Sequence, residues 1–169
     1  MSAWNSFNVG SAHRIRADWS QQSSTMPYMQ PRVTVLTLAV DDLDRSVAFY
    51  RDGLGFHTRG IVGEQYDSGA VAFFDLLGGL RLALWPRTSL CAETGLPRQP
   101  PSPSEFTLGH NVGSQQEVDT VMARAAQAGA QILKPAQHTF WGGYGGYFQD
   151  PDGHVWEVVF NPDFATLGR

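Results

Sequence analysis

An internal repeat limits what this chain can fold into. Val40 and Val112 end similar apolar stretches at an offset of about 72, and each stretch runs into a capped helix. Phe74 and Phe148, then Gly79 and Gly153, recur at an offset of about 74, with the glycines marking turns. Strand, helix cap, turn glycine and last strand agree in order. That order predicts two copies of one α+β unit rather than a single winding sheet. The repeat also pairs Val35 with Thr107 and Ala83 with Glu157.

Local patterns support each copy. Residues 33–40 are β-branched and apolar and read as a buried strand. Asp41 and Asp42 can cap the helix that follows, whose apolar face is Leu43, Val47, Tyr50 and Leu54, with Gly53 and Gly55 as the stop. Residues 71–74 and 80–85 read as strands around Gly78 and Gly79. In the second copy residues 106–112 form a strand, and residues 114–117 (Ser-Gln-Gln-Glu) form a capping box. Val118, Val121, Met122 and Ala125 give the helix face, and Gly129 ends it. Strands at 147–148 and 154–160 flank the turn Asp150-Pro151-Asp152-Gly153. A stiff proline-rich linker, 96–104, joins the copies.

Composition narrows the function. The chain has 169 residues, 42% hydrophobic and 17% charged, enough for one domain with a core. A net charge of −4 with scattered arginines and a single lysine, Lys134, gives no basis for nucleic-acid binding. No apolar run approaches the roughly 18–20 residues of a membrane span. The lone Cys91 has no disulfide partner and reads as packing rather than as a nucleophile, which points to the cytoplasm. Residues 1–30 are polar and aperiodic and are expected to be a disordered extension, leaving a domain at 31–165. Within it, module one covers about 31–87 and module two about 105–162.

Two motifs carry a family resemblance. Residues 38–50, LAVDDLDRSVAFY, followed by Leu54-Gly55-Phe56, and residues 148–158, FQDPDGHVWEV, resemble the opening and closing motifs of the vicinal oxygen chelate superfamily. That superfamily includes glyoxalase I, bleomycin-resistance proteins, fosfomycin-modifying enzymes and extradiol dioxygenases. The resemblance implies two tandem βαβββ modules forming a curled half-barrel around a central cavity, as a homodimer. It also implies metal ligands at positions that align here with Val35, Ala83, Thr107 and Glu157. Valine and alanine have no donor atoms, and a threonine hydroxyl is a poor ligand, so the expectation is no metal and no other cofactor.

Strand alternation turns Arg81, Trp85, Asn111 and Glu157 to the cavity, with Val155 and Val159 as apolar wall, and turns His110 toward the helices. Glu157 could serve as a general base, or pair with Arg81 and tie two strands together. Residues 141–147 interleave four glycines with Trp141, Tyr144 and Tyr147. They read as a lip over the pocket or as a tight strand entry. The expected ligand-binding residues are Arg81, Trp85, Thr107, Asn111, Trp141 and Tyr144, with Glu157 as the catalytic candidate. Three functions follow. One is a protein binding a small aromatic or cationic molecule. Another is a lyase, isomerase or dioxygenase-like enzyme using Glu157 or an atypical metal site. The third is a regulatory or structural dimer subunit.

Overall fold

The computed structural model describes residues 32–104 and 106–162. The chain divides into units Met1–Arg32 and Val33–Arg169, and every element below belongs to the second. The expected disordered extension at 1–30 lies outside the described residues.

The repeat is visible in the strand order. Module one contains β1 (Val35–Val40), α1 (Leu43–Ala48) continued by a π-helical turn (Phe49–Gly53), β2 (Thr58–Val62), β3 (Val71–Asp75) and β4 (Arg81–Pro86). A short α2 (Arg87–Thr94) precedes the linker. Module two contains β5 (Thr107–Asn111), α3 (Gln115–Gln127), β6 (Gln131–His138), β7 (Tyr144–Gln149) and β8 (Val155–Phe160). The sheets have the orders β1-β4-β3-β2 and β5-β8-β7-β6, the same topology twice. In each, the first strand lies parallel to the last, and the other pairings are antiparallel.

The predicted caps form. Asp42 accepts a hydrogen bond from the Arg45 N–H at 3.0 Å, and Ser114 accepts from the Glu117 N–H at 3.2 Å while the Glu117 carboxylate reaches the Gly113 N–H at 3.0 Å. Gly53 has a different role from the expected helix stop. A Cβ there would lie 2.4 Å from the Ala128 Cβ, so glycine permits the close approach of the two helical segments.

Alternation sends one face of each sheet inward. Leu38, Val40, Phe74, Leu82 and Leu84 of the first sheet share a core with Phe148, Trp156 and Val158 of the second, and with Val47 and Tyr50 of α1 and its π-turn and Val118 and Met122 of α3. Phe148 and Trp156 stack at 6.1 Å with their planes 5° apart.

A buried polar joint ties the modules through the 150–153 turn. Asp150 accepts from the Tyr50 hydroxyl at 2.7 Å and from the His154 ring at 2.8 Å, and Trp156 Nε1 donates to the Tyr50 oxygen at 3.1 Å. Asp152 accepts from Ser46 Oγ at 2.5 Å and from the Asp41 N–H at 2.8 Å. Both carboxylates are buried, and every partner compensates part of the desolvation that burial imposes. At the linker, Arg98 bonds Asp41 at 2.8 Å.

Candidate functional site

The face of each sheet opposite the core is the more open one, although Ala83 and Val159 on it are buried, and the registers fix what it displays. Paired residues share a face. In the first sheet Val35 lies beside Arg81, Thr37 beside Ala83, and Ala39 beside Trp85. In the second, Thr107 lies beside Val155, Gly109 beside Glu157 and Asn111 beside Val159. Arg81, Trp85, Thr107, Asn111 and Glu157 therefore occupy the open faces, the first two on one sheet and the last three on the other.

Glu157 and Tyr147 are direct cross-strand partners on β8 and β7. The tyrosine hydroxyl donates to Glu157 Oε1 at 2.5 Å. That hydrogen bond, reinforced by partial burial and by the carboxylate's charge, pushes the Tyr147 pKa up to about 12. The hydroxyl thus stays a donor through the physiological range. Tyr147 was not singled out by sequence reasoning apart from the glycine segment. The signal was present: a hairpin folded at residues 150–153 sets positions 147 and 157 opposite each other.

Two sequence expectations for this region change, the Arg81–Glu157 pair and the place of Tyr144. Arg81 and Glu157 do not pair, because they lie on different sheets. Arg81 instead bonds Asp75, its cross-strand neighbour on β3, at 2.8 Å. Tyr144 has the opposite parity to Tyr147 and points to the helix side, where its hydroxyl bonds Asp119 of α3 at 2.8 Å. Trp141 sits in the β6–β7 turn, its indole folded against Gly143, where a Cβ would come within 2.0 Å of the ring. That turn is held by Thr139, which accepts from the Gly143 N–H at 2.9 Å. Gly145 and Gly146 belong to the strand itself. A Cβ on Gly146 would meet the Lys134 carbonyl at 2.8 Å, so that glycine lets β6, β7 and α3 pack closely, while one on Gly145 would meet the Val158 carbonyl of β8 at 2.8 Å.

The described histidines are dispersed. His110 faces α3 as expected, beside Phe56, Val121 and Arg124, and burial pushes its pKa down against the opposing pull of Glu117. His154 is bound to Asp150, and His138 meets the Tyr144 ring edge-on at 5.2 Å. At the positions aligned with family metal ligands, Val35, Ala83 and Thr107 bring no charged donor, and the Glu157 carboxylate is bonded to Tyr147. Among the described residues no group of three or more His, Cys, Asp or Glu converges to hold a metal. This donor set does not fit a catalytic transition-metal centre, which takes about three protein ligands.

Two concavities lie on the open side. One, of about 440 Å³, runs under the proline-rich linker between β1, α2 and the start of β8, with Cys91 in its wall. The other, of about 400 Å³, is on the first sheet around Arg59, Phe73 and Arg81.

The model of the Glyoxalase/Bleomycin resistance protein/Dioxygenase superfamily matches residues 32–158. The chain belongs to that superfamily. Relatives bear out the assignment. A protein named glutathione transferase FosA from Serratia marcescens is 32% identical over 127 residues, covering 73% of this chain and 76% of that protein. The structure of a glyoxalase-related enzyme from Fulvimarina pelagi superposes with a TM-score of 0.68 at 35% identity, over 79% of this chain and 90% of that one. A glyoxalase/bleomycin resistance protein/dioxygenase from Nocardioides gives a TM-score of 0.64 at 28% identity, over 79% and 85%. The superfamily fold, two βαβββ modules with curled, open sheets, is the one described above. No described helix is long and apolar enough to cross a membrane.

Proposed function

We propose that this superfamily member has lost the usual metal site and binds a small organic molecule, aromatic or cationic, on its open sheet faces, as a cytoplasmic homodimer. The observation that supports this best is Glu157. It is the one charged side chain at the four ligand-aligned positions, it is oriented by Tyr147, and it is flanked on its face by Val155 and Val159. Among the described residues no hydrogen bond reaches Oε2, which leaves that oxygen for a ligand N–H or ammonium. An anionic group on an apolar strip favours a flat or cationic guest.

A second reading has its own support in the relative named glutathione transferase. Here Glu157 acts as a general base on a bound substrate, with Tyr147 holding the carboxylate in place. In a third, the dimer surface matters more than the pocket.

Elemental analysis of protein purified without chelator, joined to a screen of aromatic amines and quaternary ammonium compounds, separates these readings. The binding reading expects no stoichiometric metal and a ligand that Glu157→Gln releases. One zinc, nickel, iron or manganese per chain, or turnover of an electrophile with glutathione, favours the enzyme. Failure of every probe with an intact dimer favours the third reading.

A further inference from the structure

The first sheet carries a separate charged concavity. Its strand β2 contains a bulge: the pairing advances three residues, from Thr58 to Ile61, while β3 advances two, from Phe74 to Ala72. Gly60 takes the left-handed conformation this needs, at φ +91°, and its N–H bonds Thr58 Oγ1 at 3.1 Å. Beside the bulge Arg59 lines the concavity, with no partner among the described residues. Arg81 lines it too. Its Nε is bonded to Asp75, and neither of its terminal nitrogens meets a described acceptor. His57 stands at the same rim, and Phe73, 38% exposed, contributes an aromatic surface. Two guanidinium groups against one carboxylate leave this patch positive on a chain whose net charge is −4.

We propose that this concavity binds a small molecule bearing a carboxylate or phosphate on a flat apolar body, the anion held by Arg59 and Arg81 and the body lying on Phe73. Guanidinium groups present paired N–H donors that match both anions. The volume, about 400 Å³, falls within the roughly 300–1,000 Å³ of small-molecule pockets. A bulge is a common device for aiming one side chain at a site. The site rests on the open-face binding proposed above and adds to it a distinct anion-binding position on the first sheet, one that includes Arg81 but neither Glu157 nor Tyr147.

Calorimetric titration with inorganic phosphate, phenyl phosphate and benzoate tests it. Phenyl phosphate or benzoate should bind about tenfold more tightly than inorganic phosphate, and Arg59→Gln should weaken that binding about tenfold. Phe73→Ala should remove the advantage of the aromatic probes, and which aromatic probe binds better distinguishes phosphate from carboxylate. Glu157→Gln should leave all three affinities unchanged, so this site stands or falls apart from the one at Glu157. Equal affinity in the folded Arg59→Gln protein, or saturation by none of the probes at millimolar concentration, overturns the proposal.

Discussion

Tyr147 and Glu157 face each other across β7 and β8, hydroxyl to carboxylate at 2.5 Å, on the open side of the second sheet. The bond favours the protonated phenol, so its contribution to stability is complete below the ordinary tyrosine pKa of about 10. It is lost as pH rises through the folded value of about 12. An NMR titration of the tyrosine rings should show one resonance moving near pH 12, absent in Tyr147→Phe. In Glu157→Gln the same resonance should move back toward pH 10. An unshifted midpoint in that variant would show that Glu157 is not the cause.

The Asp150 joint predicts acid sensitivity. Burial alone would raise the carboxyl pKa, but the hydrogen bond and charge of His154 and the Tyr50 hydroxyl outweigh it and hold the value below the usual one. A depressed carboxyl pKa stabilises the fold above about pH 4, and that stability is lost as pH falls through the folded value. Urea midpoints measured from pH 7 down to pH 3 should fall steeply at the acid end, and less steeply in Asp150→Asn. At neutral pH that variant should already have lost about 3–5 kcal/mol, because Tyr50 and His154 lose their acceptor.

Tyr50→Phe probes the same joint from the other module. It removes a donor to Asp150 and the acceptor for Trp156 Nε1 while the ring contacts remain. The expected loss is about 1–3 kcal/mol by denaturant unfolding. A neutral result would mean that the ring alone holds the modules together.

Two glycine substitutions should behave oppositely. A Cβ at Gly109 meets nothing within 4 Å, whereas one at Gly146 meets the Lys134 carbonyl at 2.8 Å and the Met122 Cε at 2.9 Å. Gly109→Ala should leave thermal stability nearly unchanged. Gly146→Ala should cost about 1–3 kcal/mol by forcing β6 or α3 outward. Equal melting temperatures for the two variants would contradict the close packing of β6, β7 and α3.

Much of the fold was legible because the informative residues act locally. Asp42 and the Ser114–Glu117 box cap helices within four residues of themselves, and the repeat offsets located β1 against β5 and β4 against β8. The less regular elements left weaker traces. β2 carries a bulge at Gly60, β6 carries Lys134 and Pro135 with two register shifts, and α2 has no clear apolar face. At the candidate site, strand parity placed Glu157, Arg81, Trp85 and Asn111 on the open faces. Parity cannot say which sheet faces which, and so it allowed an Arg81–Glu157 pair where the actual partners are cross-strand neighbours.

The joint at residues 150–153 also gives the two halves a fixed order. By the repeat offsets, Tyr50 and Ser46 correspond to Met122 and Val118 in the second helix, while Asp150 and Asp152 correspond to Leu76 and Gly78 in the first hairpin. Two copies of the second module alone, joined by the same geometry, would set both carboxylates against a thioether and an isopropyl group. Asp150 would keep the His154 ring and the backbone N–H groups of its own turn but lose the Tyr50 hydroxyl, and Asp152 would lose the Ser46 hydroxyl. Each lost partner would cost about 1–3 kcal/mol, a sizeable part of a domain's margin. Two copies of the first module would leave the Tyr50 and Ser46 hydroxyls facing a leucine and a glycine. The duplicated halves have become lock and key to each other, and neither can substitute for its twin.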